Sequence, residues 1–336
     1  MQLADRLGYK TVWFTEHHFL PRFSYSSAPE VLLGYLAAKT KNIRLGHGIV
    51  LLPFRINHPL RVAERGAVLD IVSNGRLEFG GGRAICESEI SAFGVDPDET
   101  RIEWEESLRM LPEMWTRENF SWKSDVITIP ERSVVPKPVQ KPHPPMWVAC
   151  TQPATIEFAG DHGLGVLGFG IGPGQSNDYV RNYRERIKRA KPIGKAVNNR
   201  FALWVTALCA DSDDEAIRIQ APNVKTYLDH ARSLFASWID GKPPQTHAWH
   251  MEYFETLYRQ MEKVNIEEVL KVGLGAACIG SPDTCARVLQ RLEDAGVDEV
   301  LLFMQAFTTP HDAIMRSIEL FANQVKPRVR PNRVRA

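Results

Sequence analysis

Two adjacent imidazoles and a carboxylate, in the run Glu16-His17-His18, are the side chains of this sequence best suited to proton chemistry. They follow Val12-Trp13-Phe14, part of an apolar run whose β-branched and aromatic residues predict a buried strand. Polar groups are costly to bury, and parallel β/α proteins place their catalytic side chains at the carboxyl ends of buried strands. His17 is the leading candidate for a general acid or base, because a neutral imidazole exchanges a proton near neutral pH.

The alternative interpretation is that both histidines are core residues bonded to nearby carboxylates. Consecutive residues of a strand point to opposite faces, so only one of His17 and His18 is expected to face the interior of a barrel. A metal site would need further ligands at other strand tips, and the sequence contains no His-X-His pair. We therefore predict no metal site.

Two other stretches have residues suited to binding a phosphate. Gly80-Gly81-Gly82-Arg83 follows a predicted strand, and an arginine after Gly-rich backbone can clamp a phosphate. Thr151 to Thr155 lies at a predicted helix N-terminus, where free N–H groups and hydroxyls suit a phosphate, although N-capping explains it equally well. Gly168 to Gly172 lacks the third glycine of a GxGxxG fingerprint, so Rossmann-type NAD binding is disfavoured.

These candidate groups are spaced along an alternation of strands and helices. Near-continuous apolar strands, each connected to the next by a helix, predict a parallel sheet covered by helices. Eight such units form a closed (β/α)8 TIM barrel, of which the chain shows seven strands and lacks the first, leaving an open seam. An open doubly wound sheet is the alternative. The predicted strands begin at Thr11, Ile43, Arg76, Met146, Leu164, Phe201 and Glu299.

Two segments interrupt the alternation. The stretch 120–145 is rich in proline and contains a possible hairpin, and the stretch 223–271 is a mostly helical insertion with many aromatic residues. Gly46 and Gly48 inside the second strand predict a bulge or the close approach of another group. We predict one barrel domain over 1–325, followed by a basic, flexible tail over 326–336.

Composition restricts the class of protein. The chain has 336 residues, 44% hydrophobic and 24% charged, with a net charge of +1, which is typical of a soluble globular protein without a nucleic-acid or membrane partner. The sequence contains no apolar span of about 18 residues. Its five cysteines are odd in number, show no CxxC spacing and lie in apolar surroundings, which predicts free thiols and a cytoplasmic location.

Several motifs, in order along nearly the whole chain, resemble the bacterial luciferase-like flavin monooxygenase family. The resemblance begins with the strand that ends in Glu-His-His-Phe and continues through a Gly-rich strand, an Asn-Gly-Arg turn and a late Gly-Ser-Pro-Asp turn. The matching stretches are Thr11 to Phe19, Leu45 to Pro53 with His58-Pro59, Ser73 to Gly80 with Gly82-Arg83, Phe93-Gly94-Val95, and Ile279 to Cys285.

The resemblance implies a (β/α)8 barrel that binds reduced FMN (FMNH2). His17, the first histidine of the motif, would work near the flavin. A cis peptide bond at Gly48–Ile49 would support the isoalloxazine ring, and arginines together with a helix-start hydroxyl would hold the phosphate. The residues assigned in this way to the cofactor site are Glu16, Gly48, Ile49, Arg83, Arg101, Gln152 and Thr155.

Three departures from the luciferase pattern affect the expected site. The reactive cysteine of luciferases corresponds to Gly82, so properties that depend on that thiol should be absent. Thr151 and Gln152 stand where luciferases have other phosphate ligands.

The implied reaction is that of a two-component monooxygenase: a separate flavin reductase delivers FMNH2, O2 forms a peroxyflavin, and an apolar organic substrate is oxidised. The resemblance also implies a homodimer, which is common in the family.

Two rival functions remain compatible with the sequence. The first is a deazaflavin (F420)-dependent reductase or dehydrogenase on the same barrel, although such relatives often carry Asp-His in place of Glu-His-His. The second is a non-catalytic flavin-binding or regulatory subunit. The presence of His17 together with Arg83 and Arg101 favours an enzyme.

Overall fold

Nine strands form one parallel sheet in the computed structural model, which describes residues 1–169, 173–271 and 277–331. The strands are β1 Thr11–Phe14, β2 Arg44–His47, β3 Val50–Leu51, β4 Leu77–Gly82, β5 Phe120–Lys123, β6 Thr128–Arg132, β7 Met146–Cys150, β8 Gly165–Gly168, β9 Phe201–Cys209, β10 Ala277–Gly280 and β11 Glu299–Phe303. The hairpin β5–β6 is a separate antiparallel pair, as predicted.

Helices connect the strands and cover the outside of the sheet. They are α1 Gln2–Arg6, α2 Pro29–Lys39, α3 Pro59–Val72, α4 Glu87–Ala92, α5 Thr100–Thr116, α6 Pro153–Asp161, α7 Pro173–Ile187, α8 Asp213–Ile239, α9 Ala248–Met261, α10 Ile266–Lys271, α11 Pro282–Asp294 and α12 His311–Leu320. In the part of the chain that the structure describes, no helix combines the length and apolar character needed to span a membrane.

The strand order is that of a parallel β/α barrel with an open seam. β1, β2, β4, β7, β8 and β9 are neighbours in sequence order, β11 pairs with the first half of β9, and β10 pairs with its last residues. With β2 and β3 taken as one interrupted strand, these are eight strands, the seven predicted from the sequence and β10, which was not predicted. Between β1 and β11 no ladder is found among the described residues. Side chains cross this seam instead, including Lys10 Nζ to Glu299 Oε1 at 2.6 Å.

Indole rings fill the interior of the barrel where glycines leave space. Trp13 and Trp147 meet edge to face at 5.3 Å between ring centroids. A Cβ atom on Gly46 would lie 2.3 Å from the Trp13 ring, and one on Gly165 would lie 2.5 Å from the Trp147 ring. Any larger residue at either position would therefore displace an indole from its packed position. The close approach predicted at Gly46 is confirmed, and the approaching group is Trp13.

A network of buried charges lies at the end of the barrel where the strands begin. Glu78, which is 1% exposed, forms ion pairs with Arg44 and with Arg200 (Nη2 to Oε2, 2.7 Å). Trp147 Nε1 donates to the same carboxylate at 2.6 Å, and the Arg200 guanidinium also reaches Glu299 at 3.1 Å. Removing one member of a buried ion pair leaves its partners uncompensated, which costs more than the pair contributes.

We predict that Glu78→Ala lowers the free energy of unfolding by about 3 kcal/mol, because two half-buried guanidinium groups lose their shared carboxylate. Urea unfolding followed by circular dichroism measures the difference. Glu64→Ala is the control, since Glu64 pairs on the surface with Arg61, and its loss should stay within about 0.5 kcal/mol. Equal unfolding midpoints for the two variants would contradict the role given to the network.

The helical insertion begins earlier than predicted. α8 runs without interruption from Asp213 to Ile239, so the predicted boundary at residue 223 lies within a helix that the Ser212 side chain caps. Two segments also form that the sequence did not predict, the six-residue helix α4 and the short strand β10. The start of the basic tail touches the body through Lys326, Arg328 and Arg330, whereas 332–336 lie outside the described residues.

Candidate active site

The polar groups after β1 lie in a loop at the carboxyl end of the strand. β1 ends at Phe14, so His17 and His18 do not alternate along a strand as predicted but pair with different carboxylates. His18 Nε2 lies 3.0 Å from Glu16 Oε1, and His17 Nδ1 lies 3.1 Å from Glu89 Oε1. The hydrogen bond to Glu16 raises the pKa of His18 above its usual value, against the effect of burial.

Glu16 is held within the protein by three donors. Its Oε2 accepts from the Leu51 N–H at 2.8 Å, and its Oε1 accepts from Asn57 Nδ2 at 2.8 Å in addition to contacting His18. The side chain is 6% exposed. These bonds tie the loop after β1 to the end of β3, and the assignment of Glu16 as a flavin ligand stays a prediction.

Glu89 is the site residue that the sequence analysis missed. It is fully buried on α4, and its Oε1 accepts from the backbone N–H of His18 at 2.8 Å as well as contacting His17 Nδ1. The burial of Cys86, and next the nearby Glu89 carboxylate, raise the pKa of the Cys86 thiol well above its usual value. The only signal in the sequence was the acidic pair in Glu87-Ser88-Glu89, which alone did not indicate a partner for His17.

Arg83 directly follows β4, which runs through Gly82 and ends two residues later than predicted. Its Nη1 donates to the Thr246 carbonyl at 3.4 Å, and among the described residues it forms no ion pair with a carboxylate. Burial and then the charge of Arg101 lower the pKa of Arg83 to about 10, so the guanidinium stays charged at neutral pH. A half-buried cation without a carboxylate partner is suited to binding an anionic ligand.

The other predicted phosphate ligands lie on α5 and at the start of α6, and the charge of one of them, Arg101, acts on Arg83. Arg101, on α5, pairs with Glu105 at 2.9 Å, and its guanidinium lies 6.0 Å from the ring of Phe158 on α6. Thr155 is in the first turn of α6, where its hydroxyl contacts Gln152 Nε2 at 3.3 Å. No side chain caps this helix start, but Pro153 has no N–H and the Thr155 N–H donates to the Gln152 carbonyl at 3.1 Å. Among the described residues, the Ala154 N–H is the group of this first turn left to bind an anion.

The peptide bond Gly48–Ile49 is cis, as the resemblance implied. It separates β2 from β3, so the strand predicted as continuous is interrupted there. The Ile49 side chain packs near the glycines of β4, because a Cβ atom on Gly82 would lie 2.8 Å from Ile49 Cδ1. That Gly48 and Ile49 contact a flavin ring stays a prediction.

The insertion places two further histidines over Arg83, which the sequence analysis also missed. His247 Nε2 lies 3.1 Å from the Ala84 carbonyl, and His250 is 6% exposed with no partner for its Nδ1 among the described residues. Burial and next the Arg83 charge lower the pKa of His247 to about 4 and that of His250 to about 3. Both imidazoles are therefore neutral at neutral pH.

A third buried histidine, His47 at the end of β2, has a pKa lowered to about 4 by burial, and neither ring nitrogen has a partner among the described residues. An unfolded histidine binds a proton as the pH falls through about 6.5, whereas folded His47 does not bind one until the pH falls to about 4. His47 therefore contributes stability above about pH 6.5 that is lost as the pH falls to 4.

We predict that His47→Leu reduces the loss of unfolding free energy between pH 7 and pH 4.5 by about 2–3 kcal/mol, because that proton uptake disappears. Urea unfolding at several pH values measures the slope. Replacing the exposed His311 with Gln should leave the slope unchanged. Parallel curves for wild type and His47→Leu would show that His47 is not the residue responsible.

Five aromatic side chains form a wall beside His17, here called the aromatic wall. His17 meets the first of them, Phe23, edge to face at 5.7 Å between centroids, and Phe23 stacks on Tyr227 of the insertion at 5.5 Å. Trp204, in the middle of β9, lies 4.9 Å from Phe169 and 5.3 Å from Phe303 between ring centroids and so connects the wall to the ends of β8 and β11. The members of the aromatic wall are Phe23, Phe169, Trp204, Tyr227 and Phe303.

The structure thus brings most of the predicted site residues to one end of the barrel. His17 and Glu16 lie after β1, Gly48–Ile49 lies between β2 and β3, and Arg83 follows β4. The remaining predicted ligands lie on α5 and at the start of α6, namely Arg101, Gln152 and Thr155. Among the described residues, no cluster of three or more His, Cys, Asp or Glu side chains is arranged to hold a metal ion.

Known proteins resemble this chain along most of its length. The family model for luciferase-like monooxygenases matches residues 1–299. The oxygenase component of flavin-dependent trigonelline monooxygenase from Acinetobacter baylyi is 34% identical over 167 residues, 49% of this chain and 45% of that protein. The alkanal monooxygenase alpha chain of Aliivibrio fischeri is 27% identical over 96% of this chain and 89% of its own.

Two solved structures share the fold at lower identity. The oxygenating constituent of 3,6-diketocamphane monooxygenase from Pseudomonas putida, in complex with FMN, has a TM-score of 0.78 at 20% identity and covers 98% and 91% of the two chains. The F420-dependent tetrahydromethanopterin reductase of Methanopyrus kandleri has a TM-score of 0.71 at 19% identity and covers 98% and 94%. The predicted TIM-barrel class is confirmed, and so is the prediction of an oxidoreductase. The chain belongs to the luciferase-like monooxygenase family.

Proposed function

We propose that this chain is the oxygenase component of a two-component flavin monooxygenase, which binds FMNH2 and uses O2 to oxidise an apolar organic substrate. The observation that carries the proposal is the presence, at one barrel end, of a half-buried arginine with no carboxylate partner in the part of the chain that the structure describes and of an imidazole held by a buried carboxylate. These groups are Arg83 and His17, and the segment 83–89 connects them through Glu89.

The donor set near Arg83 fits the phosphate of FMN. Arg83 and Arg101 supply positive charge, the start of α6 supplies the Ala154 N–H, and the Thr155 hydroxyl lies in the same turn. Phosphate dianions prefer such charge-assisted and backbone donors. Bound FMNH2 would supply the electrons that activate O2. The relative from Acinetobacter baylyi is named as the oxygenase component of a flavin-dependent monooxygenase, and this similarity supports the choice of a flavin reaction.

The chain's own side chains would control protons and water at this site. His17 Nε2 has no hydrogen-bond partner among the described residues, so it is free to take or give a proton at the barrel mouth. The aromatic wall would exclude water beside it and bind an apolar substrate, since aromatic side chains bury large apolar areas. Light emission is not part of the proposal.

Two partners follow from the proposed reaction. A separate flavin reductase must deliver FMNH2, because the sequence contains no dinucleotide-binding fingerprint of its own. A second copy of the chain would cover the exposed apolar side chains of two adjacent helices, which include Val31, Leu32 and Tyr35 of α2 and Val68 and Val72 of α3. A cytoplasmic location agrees with five cysteines that are all free and buried.

The dimer has a direct test. We expect the chain to elute at twice its mass in size-exclusion chromatography with light scattering, and we expect Tyr35→Glu to shift it towards the monomer, because a charge would be buried at the interface. Tyr25→Glu is the matched control, since Tyr25 is 84% exposed in the loop before α2 and lies outside both helices. A wild-type monomer would contradict the proposed interface.

The function is tested by anaerobic titration with reduced FMN, with oxidised FMN and F420 alongside, followed by admission of air. Tight binding of reduced FMN and an oxygen-dependent absorbance change before oxidised FMN appears would support the oxygenase. Binding of F420 alone, without a response to oxygen, would replace the proposal by hydride transfer. Binding without turnover of any apolar substrate, unchanged in His17→Ala, would indicate a non-catalytic flavin-binding subunit.

A further inference from the structure

We propose that Glu89 is a positioning residue for His17, which fixes the proton of the neutral imidazole on Nδ1 and leaves Nε2 as its proton acceptor. The inference rests on the proposed function, in which His17 handles protons. It concerns a residue that lies 72 positions along the chain from His17 and that reaches it from a different element.

The hydrogen-bond geometry decides which atom carries the proton. Glu89 Oε1 accepts from the backbone N–H of His18 at 2.8 Å, and a backbone N–H can only donate. The same oxygen lies 3.1 Å from His17 Nδ1. An ionised carboxylate can only accept, so with Glu89 ionised the proton between Oε1 and His17 belongs to Nδ1. The lone pair of the neutral ring is then on Nε2, which has no partner among the described residues.

The burial of Glu89 indicates a role beyond holding the loop. Its side chain is fully buried, its Oε2 accepts no hydrogen bond from a nitrogen or oxygen donor among the described residues, and the Cys86 thiol is the further group that interacts with this carboxylate. A buried carboxylate oxygen without a nitrogen or oxygen donor is costly, and a neutral side chain could hold the His18 N–H without that cost. An anionic acceptor is needed only if it must also stabilise a positive charge that forms on the His17 ring.

The local fold explains how α4 delivers the carboxylate. The chain leaves β4 at Gly82, and α4 begins at Glu87, with the Glu89 N–H bonded to the Cys86 carbonyl at 3.2 Å. The next residue, Ile90, is 2% exposed and packs among apolar residues, which fixes the rotation of the helix. Glu89 is therefore directed at the loop after β1 by the packing of its neighbour.

The first test uses the free protein, so it does not depend on flavin binding or turnover. Nitrogen-15 histidine labelling and long-range proton–nitrogen correlation spectra report which ring nitrogen carries the proton, and His17→Gln identifies the His17 signals. At a pH where the ring is neutral, we expect wild type to show the Nδ1–H form. Glu89→Leu, which removes the acceptor, should lose this preference. An unchanged tautomer in Glu89→Leu would overturn the proposal.

The second test separates positioning from general stability. Asp70→Asn is the matched control, because Asp70 is a fully buried carboxylate that accepts the Gln140 N–H at 2.9 Å and lies away from His17. In turnover with FMNH2, we expect Glu89→Leu to lower kcat about 10²-fold with little change in KM, and His17→Gln/Glu89→Leu to be no slower than His17→Gln. Additive losses, or an equal loss in Asp70→Asn, would overturn the positioning role.

The two failures are distinguishable. If wild type binds no reduced flavin and shows no turnover, the proposed function fails, while the tautomer measurement still decides whether Glu89 fixes the His17 proton. If turnover is present but Glu89→Gln, which keeps an uncharged acceptor, matches wild type in both rate and tautomer, the carboxylate charge has no role and the inference fails.

Discussion

His17→Gln is expected to lower the rate of substrate oxidation by about 10²- to 10⁴-fold, with the dissociation constant for reduced FMN changed less than about threefold. Loss of a positioned acid or base has effects of this size. The imidazole is held by Glu89 with Nε2 free, whereas a glutamine at this position has no group that exchanges protons near neutral pH. Single-turnover kinetics with preformed reduced flavin measures the rate without the reductase step.

His18→Gln is the matched control for this prediction. His18 is adjacent in the sequence and also pairs with a carboxylate, but its Nε2 faces Glu16, so its ring is held inside the loop. A glutamine amide can replace that donor, and we expect the rate to fall less than about tenfold. If the two variants lose activity equally, proton handling cannot be assigned to His17, and the loop as a whole would be the feature that matters.

The barrel and its polar strand tip were predictable from the sequence because both depend on local pattern. Apolar runs that alternate with helical periodicity determine a parallel sheet, and a strand that is followed directly by Glu16-His17-His18 presents them at its carboxyl end. The interruption at Gly48–Ile49 came from the resemblance and not from periodicity, since the apolar run continues through it.

Glu89 could not be predicted, and the reason is physical. It lies on a six-residue helix, too short to show a hydrophobic period, and its partner is 72 residues away. His250 illustrates the same limit, because its approach to Arg83 depends on how α9 packs over the segment that follows β4. Pairings between distant elements are set by tertiary packing, which one sequence without related sequences does not reveal.

Arg83→Gln is expected to weaken the binding of reduced FMN about 10²-fold. The guanidinium keeps its charge at neutral pH and has no carboxylate partner among the described residues, so a bound phosphate would be its first strong counterion. Loss of one charge-assisted hydrogen bond in a half-buried site costs about 1.5–3 kcal/mol, which corresponds to roughly 10- to 10²-fold in affinity. Anaerobic fluorescence titration measures the dissociation constant.

Riboflavin, which has the same ring system without the phosphate, separates charge recognition from a general loss of structure. If Arg83 binds the phosphate, wild type and Arg83→Gln should bind reduced riboflavin equally, and Arg83→Lys should recover part of the FMN affinity because it keeps a positive charge but not the guanidinium geometry. Arg61→Gln, which removes an exposed ion-paired arginine, should bind FMN as wild type does. If Arg83→Gln weakens both flavins alike, the residue supports the barrel mouth and the phosphate site lies elsewhere.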